Sequence, residues 1–177
     1  TFKDILIYDR KTKKIIFKGE IELYLFSPRF YDKNILYNIN KNRVLTFDIL
    51  KGGILQEKEI SLKGITAFFT YDYIVRYDDI YIYIYVKSDY SLLRQQNIQD
   101  FFPEEEIEIY SIHPYKNTFI VIAKMGIVCI SQKDGSLIWK CDHYARTMEI
   151  VEHYGYVCTS LSFYRVDLDT GEFYNYD

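Results

Sequence analysis

"VCISQKDGSLIW", residues 128–139, decides the fold, because a short apolar run passes through a polar turn into a second apolar run. Ser131 opens the turn, and its hydroxyl can accept hydrogen bonds from the backbone of the following residues. Gly135 can take the positive φ that such a turn requires, and Leu137 begins the return strand. The segment therefore predicts a β-hairpin.

The same pattern occurs five times along the chain. Each copy has a hydrophobe, an anchor residue, a polar turn and a second hydrophobe six residues after the anchor. The anchors and their second hydrophobes are Asp9 and Ile15, Asp48 and Ile54, Lys87 and Leu93, Ser131 and Leu137, and Asp167 and Phe173. The anchors follow one another at intervals of 39, 39, 44 and 36 residues. A period of about 40 residues built from short strands is typical of a β-propeller.

Two more strand-like stretches lie between one hairpin and the next, so that each period holds the four strands of a propeller blade. We therefore expect an all-β fold, a β-propeller-like array of about four four-stranded blades plus an N-terminal hairpin. Because no linker or low-complexity segment interrupts the chain, residues 1–177 are predicted to form a single domain. A closed ring, an open arc and a piece of a longer propeller remain alternatives.

One strand, in "DDIYIYIYV" (78–86), has no polar face. Side chains alternate between the two faces of a strand, so one face here is aliphatic and the other aromatic. Adjacent blades cover both faces of a propeller strand, and we expect both faces here to be buried. The predicted faces are Ile80, Ile82 and Ile84 on one side and Tyr81, Tyr83 and Tyr85 on the other.

The segment "CISQKDGSLIW" (129–139) resembles the repeat of quinoprotein-type (PQQ-like) β-propellers, which is roughly Ala-x-Asp-x-x-Thr-Gly-x-x-x-Trp. Gly135 and Trp139 match that repeat directly. In the family the tryptophan docks between neighbouring blades, so the resemblance implies that role for Trp139. The last copy supplies the other half of the motif, through Asp167, Thr170 and Gly171.

The resemblance implies a fold and carries over no enzyme. Quinone-dependent dehydrogenases of the family are much longer, and they hold their cofactor and calcium on a seven- or eight-bladed disc. This sequence has no matching Cys-Cys pair or acidic metal cluster, so we predict no cofactor and no enzymatic activity. Other copies lack the docking ring, because the tryptophan position is occupied by Gln56, Gln95 and Asn175.

Composition narrows the classes of partner. The net charge of -3 makes non-specific binding to nucleic acid or to an anionic membrane unfavourable.

The three cysteines, Cys129, Cys141 and Cys158, are sparse and odd in number, which indicates a reducing compartment. The apolar run at the N-terminus is too short for a signal peptide, and no stretch approaches 18 apolar residues. We expect a cytoplasmic protein; its oligomeric state stays open.

Three residues in "CDHYARTMEIVEH" (141–153) are candidates for chemistry. Cys141 and His143 fall on one strand face, and His153 can lie across a hairpin from them. The three could hold zinc, although no fourth ligand is evident and the spacing matches no finger pattern. A Cys–His nucleophile built from Cys141 or Cys158 with His153 is a second alternative. In the third alternative, the histidines lie on the surface and the cysteine is half-buried, and none of them has a chemical role. We adopt this alternative and predict no metal site.

An acidic and aromatic segment, "DFFPEEEIEIY" (100–110), falls in the longest interval between anchors and is the strongest candidate site. Exposed aromatic side chains beside carboxylates suit a basic protein partner, because the rings supply burial and the acids steer association. In the alternative interpretation the phenylalanines fold back onto the core. The predicted partner-binding residues are Phe101, Phe102, Glu104, Glu105, Glu106 and Glu108.

A second candidate contact is "FSPRFYDK" (26–33), where we expect Arg29, Phe30 and Tyr31 at the tip of a loop. The chain has 19 tyrosines, more than a small core needs, so some should be exposed. Tyrosine is enriched at protein interfaces, which favours a protein partner.

The sequence thus predicts a non-catalytic protein-binding module. The most specific hypothesis is a bacterial immunity protein that binds and inhibits a cognate toxin, for instance a basic nuclease, which this small acidic chain resembles in character. Two alternatives remain: a propeller that binds a small ligand or acts as an enzyme through an axial pocket, and a fragment of a larger propeller scaffold or sensor.

Overall fold

Every hairpin predicted from the repeat is present in the computed structural model, which describes residues 2–23, 29–32, 35–39, 43–51, 53–70, 72–103, 106–159 and 162–175. These residues form eighteen strands and one short 3-10 helix, Ile98–Phe101. The strands are β1 (Phe2–Asp9), β2 (Lys14–Leu23), β3 (Arg29–Asp32), β4 (Ile35–Ile39), β5 (Arg43–Asp48), β6 (Gly53–Glu59), β7 (Thr66–Phe69), β8 (Tyr73–Tyr77), β9 (Tyr81–Val86), β10 (Leu92–Asn97), β11 (Ile109–Tyr115), β12 (Thr118–Ala123), β13 (Gly126–Ser131), β14 (Leu137–Cys141), β15 (Glu149–Val151), β16 (Tyr154–Cys158), β17 (Phe163–Asp167) and β18 (Phe173–Asn175).

The strands pair in chain order into antiparallel sheets. β1 and β2 form a two-stranded hairpin, and four four-stranded sheets follow. We name these sheets blade 1 (β3–β6), blade 2 (β7–β10), blade 3 (β11–β14) and blade 4 (β15–β18). Four strands joined by successive hairpins are the unit of a propeller. The predicted all-β array of four blades plus an N-terminal hairpin is confirmed.

The hairpin turns owe their shape to one repeated set of hydrogen bonds. In blade 4 the Asp167 N–H donates to the carbonyl of Glu172 at 2.8 Å, and the Gly171 N–H donates back to Asp167 at 2.7 Å. The Asp167 carboxylate accepts from the amides of Asp169 and Thr170 at 2.9 and 3.1 Å. Gly171 has a φ of 79°, as the glycine of such a turn requires.

The anchor of the third copy lies one residue earlier than the sequence suggests. The Val86 N–H donates to Ser91, and the Tyr90 N–H donates to Val86, as in the other turns. Val86 is therefore the anchor in place of Lys87. The same shift moves the second hydrophobe from Leu93 to Leu92 and the tryptophan position from Gln95 to Arg94.

The contacts divide the chain into two compact units, residues 1–77 with 83–94 and residues 78–82 with 95–177. That residues 1–177 make a single domain stays a prediction.

In the second unit, blades 3 and 4 share an apolar core in which the Trp139 ring lies among aliphatic side chains. Its other members include Ile120, Ile122, Ile127, Cys129, Val157, Tyr164, Val166 and Leu168.

Both faces of β9 are buried over residues 82–85, as predicted, while Tyr81 is only partly buried. Ile82, Tyr83, Ile84 and Tyr85 are all 5% exposed or less, whereas Ile80 precedes the strand and is 38% exposed. The tyrosine face is covered in part by the segment between β6 and β7. There the Lys63 N–H donates to the Tyr85 hydroxyl at 2.8 Å. The missing polar face is thus accounted for by burial.

A buried arginine holds that same segment in place. The guanidinium of Arg76 on β8 donates to the carbonyl of Gly64 at 2.5 Å and to that of Leu62 at 3.4 Å. Burial lowers the pKa of Arg76, and the nearby Tyr85 opposes that shift. The charge is kept inside because backbone carbonyls solvate it in place of water.

Candidate functional site

Blade 4 has one partly exposed face. Along β16 and β17, Val157, Tyr164 and Val166 are buried, and the side chains that alternate with them are only partly covered. In blade 3, by contrast, β12 and β13 are buried on both faces. We name the exposed set the aromatic face; it consists of Tyr154, Tyr156, Phe163, Arg165 and Tyr174.

The side chains of the aromatic face are packed against one another. The guanidinium carbon of Arg165 lies 4.3 Å from the ring centroid of Tyr154 and 4.8 Å from that of Tyr174. Tyr156 stacks with Phe163 at 6.2 Å between centroids and 19° between ring planes. A guanidinium between two rings is stabilised by cation–π attraction, which fixes its orientation.

β18 pairs with β17, so the aromatic face continues to the outer edge of the blade 4 sheet. The Tyr174 hydroxyl donates to the Glu172 carboxylate at 2.5 Å. That bond raises the pKa of Tyr174 and orients its ring beside Arg165. The face therefore presents aromatic rings and one guanidinium in a fixed arrangement.

The corresponding face of blade 3 is a blade-to-blade contact. When the two blades are aligned on their anchors and strand pairing, aliphatic and thiol side chains of blade 3 match aromatic and cationic ones of blade 4. The matched pairs are Ile120 and Tyr156, Ile127 and Phe163, and Cys129 and Arg165. The blade 3 members are 0–1% exposed, while Phe163 is 44% exposed. Positions that are buried in blade 3 are thus partly exposed to solvent in blade 4, where larger side chains occupy them.

The aromatic face was not predicted from the sequence. Tyrosine and phenylalanine alternate with smaller residues in "YGYVC" and "FYRVD", and that alternation was the available signal. It does not distinguish a covered face from an exposed one, because both read as half-buried strands.

The structure buries one of the two phenylalanines of the acidic and aromatic candidate. Phe102 is 3% exposed, and the Lys140 ammonium lies 4.3 Å from its ring centroid. Phe101, in the 3-10 helix, is half-buried. Phe102 therefore folds back onto the protein, as in the alternative interpretation of this segment. Lys140 of blade 3 covers part of the ring, a contact that local sequence does not reveal.

The carboxylates of that segment differ among themselves. Glu106 and Glu108 are exposed, and Glu106 pairs with Lys124 at 3.2 Å. That hydrogen bond raises the pKa of Lys124. Glu104 and Glu105 lie outside the described residues. Two of the four predicted glutamates are therefore available to a partner in the part of the chain that the structure describes.

The second predicted contact lies on a strand and not at a loop tip. Arg29, Phe30 and Tyr31 belong to β3, which pairs in register with β4. Ladder hydrogen bonding extends this backbone, so the turn expected at these residues is wrong. Their side chains lie outside what the structure describes.

The cysteine and histidine candidates do not converge. Cys141 is buried, and burial raises the pKa of its thiol, opposite to the shift that activates a nucleophile. His143 stacks on Phe173 at 3.7 Å between ring centroids, and His153 lies 3.9 Å from the Tyr154 ring. Among the described residues, no three side chains of His, Cys, Asp or Glu come together as metal ligands would. The only helix in the described ranges, four residues long, is far too short to cross a bilayer.

A concave region lies in the first unit. Two cavities of about 540 and 470 Å³ share Tyr37, Lys87 and Ser88. The Lys87 ammonium lies 4.5 Å from the centroid of the Tyr37 ring. We name this region the tyrosine groove.

Comparisons with known proteins bear on the fold. No protein-family model matches the chain, and no curated protein matches it in sequence. BamB from Moraxella catarrhalis is similar in structure, with a TM-score of 0.60 at 9% identity over 99% of this chain and 58% of that one. Hsv2 from Kluyvelomyces marxianus gives a TM-score of 0.66 at 13% identity over 98% and 58% of the two chains. The N-terminal domain of Nup159 gives 0.58 at 11% identity over 85% and 42%.

The chain spans about half of the length of these structures. At such low identity the likeness concerns architecture and not activity. Together with the four meandering blades, it shows that this chain has a β-propeller fold.

Proposed function

We propose that this chain is a non-catalytic protein-binding module that binds its partner through the aromatic face of blade 4. The observation that carries the proposal is the exposure of Tyr156, Phe163 and Arg165 at positions where blade 3 buries Ile120, Ile127 and Cys129 under a neighbour. Such positions are suited to face another protein surface.

The chemistry of the face supports a protein partner. Tyrosine, phenylalanine and arginine are enriched in the cores of protein interfaces, and tyrosine and arginine also at binding hot spots. The cation–π contacts of Arg165 hold its guanidinium in place before binding, so less side-chain entropy is lost on association. A carboxylate or a backbone carbonyl of the partner is a natural acceptor for that guanidinium.

Site-specific photo-crosslinking in the native host tests the proposal. p-Benzoylphenylalanine is placed at Phe163, and in a control chain at Leu137 of blade 3; both side chains are 44% exposed. We expect a discrete crosslinked protein from position 163 and none from position 137. The same product from both positions, or none from either, would contradict the aromatic face as the binding site.

A more specific proposal is that the partner is a toxin and the chain its immunity protein. The net charge of -3 and the exposed carboxylates of Glu106 and Glu108 support it, since they favour a basic partner such as a nuclease. Mass spectrometry of the crosslinked protein decides this point: a small basic toxin supports the immunity role, and any other protein refutes it.

If that toxin is found, charge reversal tests the acidic contribution. Glu106→Lys with Glu108→Lys is expected to slow association about tenfold at low salt, because surface charges act mainly on the rate of encounter. Lys133→Glu, in the exposed turn of blade 3, is the control that adds negative charge elsewhere. An unchanged association rate excludes these two glutamates from the interface.

A second proposal is that the chain is part of a larger PQQ-like propeller scaffold. Its coverage of 58% of two propeller structures favours this role, as does the docking of Trp139 on the turn of the next blade. Immunoblotting of the native protein measures its full length. A band near the 21.3 kDa of this chain argues against the scaffold role, and a band about twice as large supports it.

A further inference from the structure

The N-terminal hairpin, β1–β2, has the form of the outer two strands of a blade. Its strand pairing has a bulge at Ile16, and the pairing of β13 with β14 in blade 3 has one at Ile138. Each bulge lies seven residues after its anchor, which is Asp9 in the hairpin and Ser131 in blade 3. Residues of the hairpin and of the blades can therefore be matched by their distance from the anchor.

The hairpin exposes two large side chains at positions that every blade buries. Leu6 and Tyr8, three residues and one residue before the anchor, are 59% and 47% exposed. In the four blades the side chains at these two positions are at most 6% exposed. They are Leu45 and Phe47, Tyr83 and Tyr85, Val128 and Ile130, and Tyr164 and Val166.

Blade 4 shows what such a pair of side chains packs against. Tyr164 and Val166 belong to the apolar core that blade 4 shares with blade 3. The matched pair in the hairpin is therefore the face by which a blade packs on the blade before it. We name Leu6 and Tyr8 the hairpin face.

The aromatic face of blade 4 is the complementary kind of surface. Its matched positions in blade 3 hold Ile120, Ile127 and Cys129, which belong to the same shared core. The aromatic face is thus the surface on which a following blade packs. The hairpin face and the aromatic face are the two sides of one blade-to-blade contact, and in the single chain each is at least partly exposed.

Charged residues beside the two faces are also complementary. In the contact of blades 3 and 4, Lys116 pairs with Asp169 at 2.6 Å. Counted from the anchors, the residue of blade 4 that matches Lys116 is Glu152, and the residue of the hairpin that matches Asp169 is Lys11. The backbone supports the first match, since Lys116 and Glu152 have φ values of 49° and 58°. The pair is kept with its signs exchanged.

Both residues of this second pair are available. Lys11 and Glu152 are exposed, and neither forms an ion pair in the part of the chain that the structure describes. The hairpin turn, residues 9–14, has four cations and one carboxylate, whereas residues 149–154 have two carboxylates and no lysine or arginine. The charges around each residue thus have the same sign as the residue itself, which favours pairing of the two segments.

We propose that two copies of this chain pack head to tail, with the hairpin face of one copy on the aromatic face of the other. Lys11 of the first copy then lies beside Glu152 of the second. Because the contact joins two different surfaces, a second contact in the opposite direction closes the assembly as a dimer. The chain spans 58% of two similar propellers, so two copies supply about one propeller of that size. The inference rests on the function proposed above, since it names a second copy as the partner of the aromatic face.

Exchange of the charges tests the contact in the purified full chain. Sedimentation equilibrium should give twice the 21.3 kDa of one chain for the wild type. Lys11→Glu and Glu152→Lys each bring like charges together in both contacts, and each should weaken the dimer at least about tenfold. An equal mixture of the two variants should dimerise as tightly as the wild type, because every contact in the mixed dimer again joins a cation to a carboxylate.

The apolar part of the contact has its own test. Leu6→Asp should abolish the dimer, because it places a carboxylate where a side chain is to be buried. Leu50→Asp is the matched control, since Leu50 lies in the exposed turn of blade 1 and is also 59% exposed. Its dimer should be unchanged. In the purified dimer, p-benzoylphenylalanine at Phe163 should crosslink to residues 2–23 of the second copy, which peptide mass spectrometry identifies.

Four results would overturn the proposal. These are a wild type that stays monomeric up to about 100 μM, a dimer that neither charge variant weakens, variants that do not assemble when mixed, and crosslinks from position 163 to residues outside the hairpin. A monomeric wild type would leave the aromatic face to a different protein, so the function proposed above would stand. That function fails separately, if position 163 yields no crosslinked protein in the native host.

Discussion

The contact between blades 3 and 4 and that between blades 1 and 2 solve one packing problem in opposite ways. In the first, Trp139 lies against the turn of the next blade, and a Cβ added to Gly171 would meet the ring at 2.8 Å. The indole N–H also donates to the Leu168 carbonyl at 3.0 Å. In the second, strand pairing places Gln56 at the tryptophan position and the turn places Tyr90 at the glycine position.

The two contacts share one property, although their residues differ. Each contact has one large ring beside one smaller side chain, but the ring comes from opposite partners. Gly171 takes a positive φ at little cost, whereas Tyr90 takes it at a cost that burial of its ring must offset. The repeat thus conserves the filling of space and allows its residues to change.

Removal of the tryptophan should have the largest effect on this comparison. We expect Trp139→Ala to lower the free energy of unfolding by about 4 kcal/mol, because the change leaves a cavity and an unpaired Leu168 carbonyl. Denaturant unfolding measures the loss. Ile138→Ala, at an exposed neighbouring position, is the control and should cost less than about 1 kcal/mol. Equal losses would mean that Trp139 is not the anchor of this contact.

The turn glycine comes next. Gly171→Ala should cost about 2–3 kcal/mol, because it strains the backbone and pushes a methyl group against the Trp139 ring. Gly53→Ala is the control, since nothing lies within 4 Å of an added Cβ there. If thermal or denaturant unfolding gives the same small change for both variants, the turn does not constrain the contact.

An exchange between the two arrangements should have an intermediate effect. Gln56→Trp alone and Tyr90→Gly alone should each destabilise, the first by crowding and the second by leaving space. We expect the double variant to recover about 1–2 kcal/mol relative to the sum of the single variants. A double-mutant cycle of unfolding free energies provides the measurement. Strict additivity would show that the two positions do not share one space.

The smallest effect concerns alkaline pH. Burial raises the pKa of Tyr90 above the ordinary value of 10.0, with the nearby Tyr37 as a lesser cause. The folded chain therefore keeps the phenolic proton at a pH where the unfolded chain has lost it, so stability falls as pH rises above 10. Tyr90→Phe should flatten that part of the curve, which unfolding at pH 8 to 11 reveals. An identical pH profile would place the Tyr90 phenol in a solvated setting.

The hairpins were predictable where a side chain marks the turn. Asp167 and Ser131 show the anchor in the sequence because their oxygens accept turn amides. Val86 cannot accept, and Asp89 takes over by bonding the amide and hydroxyl of Ser91. The third anchor was therefore assigned one residue late, although the blade itself was correctly predicted.

The candidate sites were less predictable for a different reason. Exposure depends on which surfaces pack together, and sequence patterns report only the faces of single strands. Phe102 looked accessible because its covering lysine, Lys140, lies 38 residues away in the chain. Phe163 and its neighbours were not singled out, because nothing in a single strand's pattern says whether another surface covers it.

The exchanged pair of Gln56 and Tyr90 also has an evolutionary consequence. We expect Trp at position 56 to crowd Tyr90 and Gly at position 90 to leave space beside Gln56, so a change at one position should favour a change at the other. We expect homologous chains to carry either Gln with Tyr or Trp with Gly at these positions, and rarely Trp with Tyr. Paired changes of this kind would remove the residues by which a propeller repeat is identified and leave in place the strands that they join.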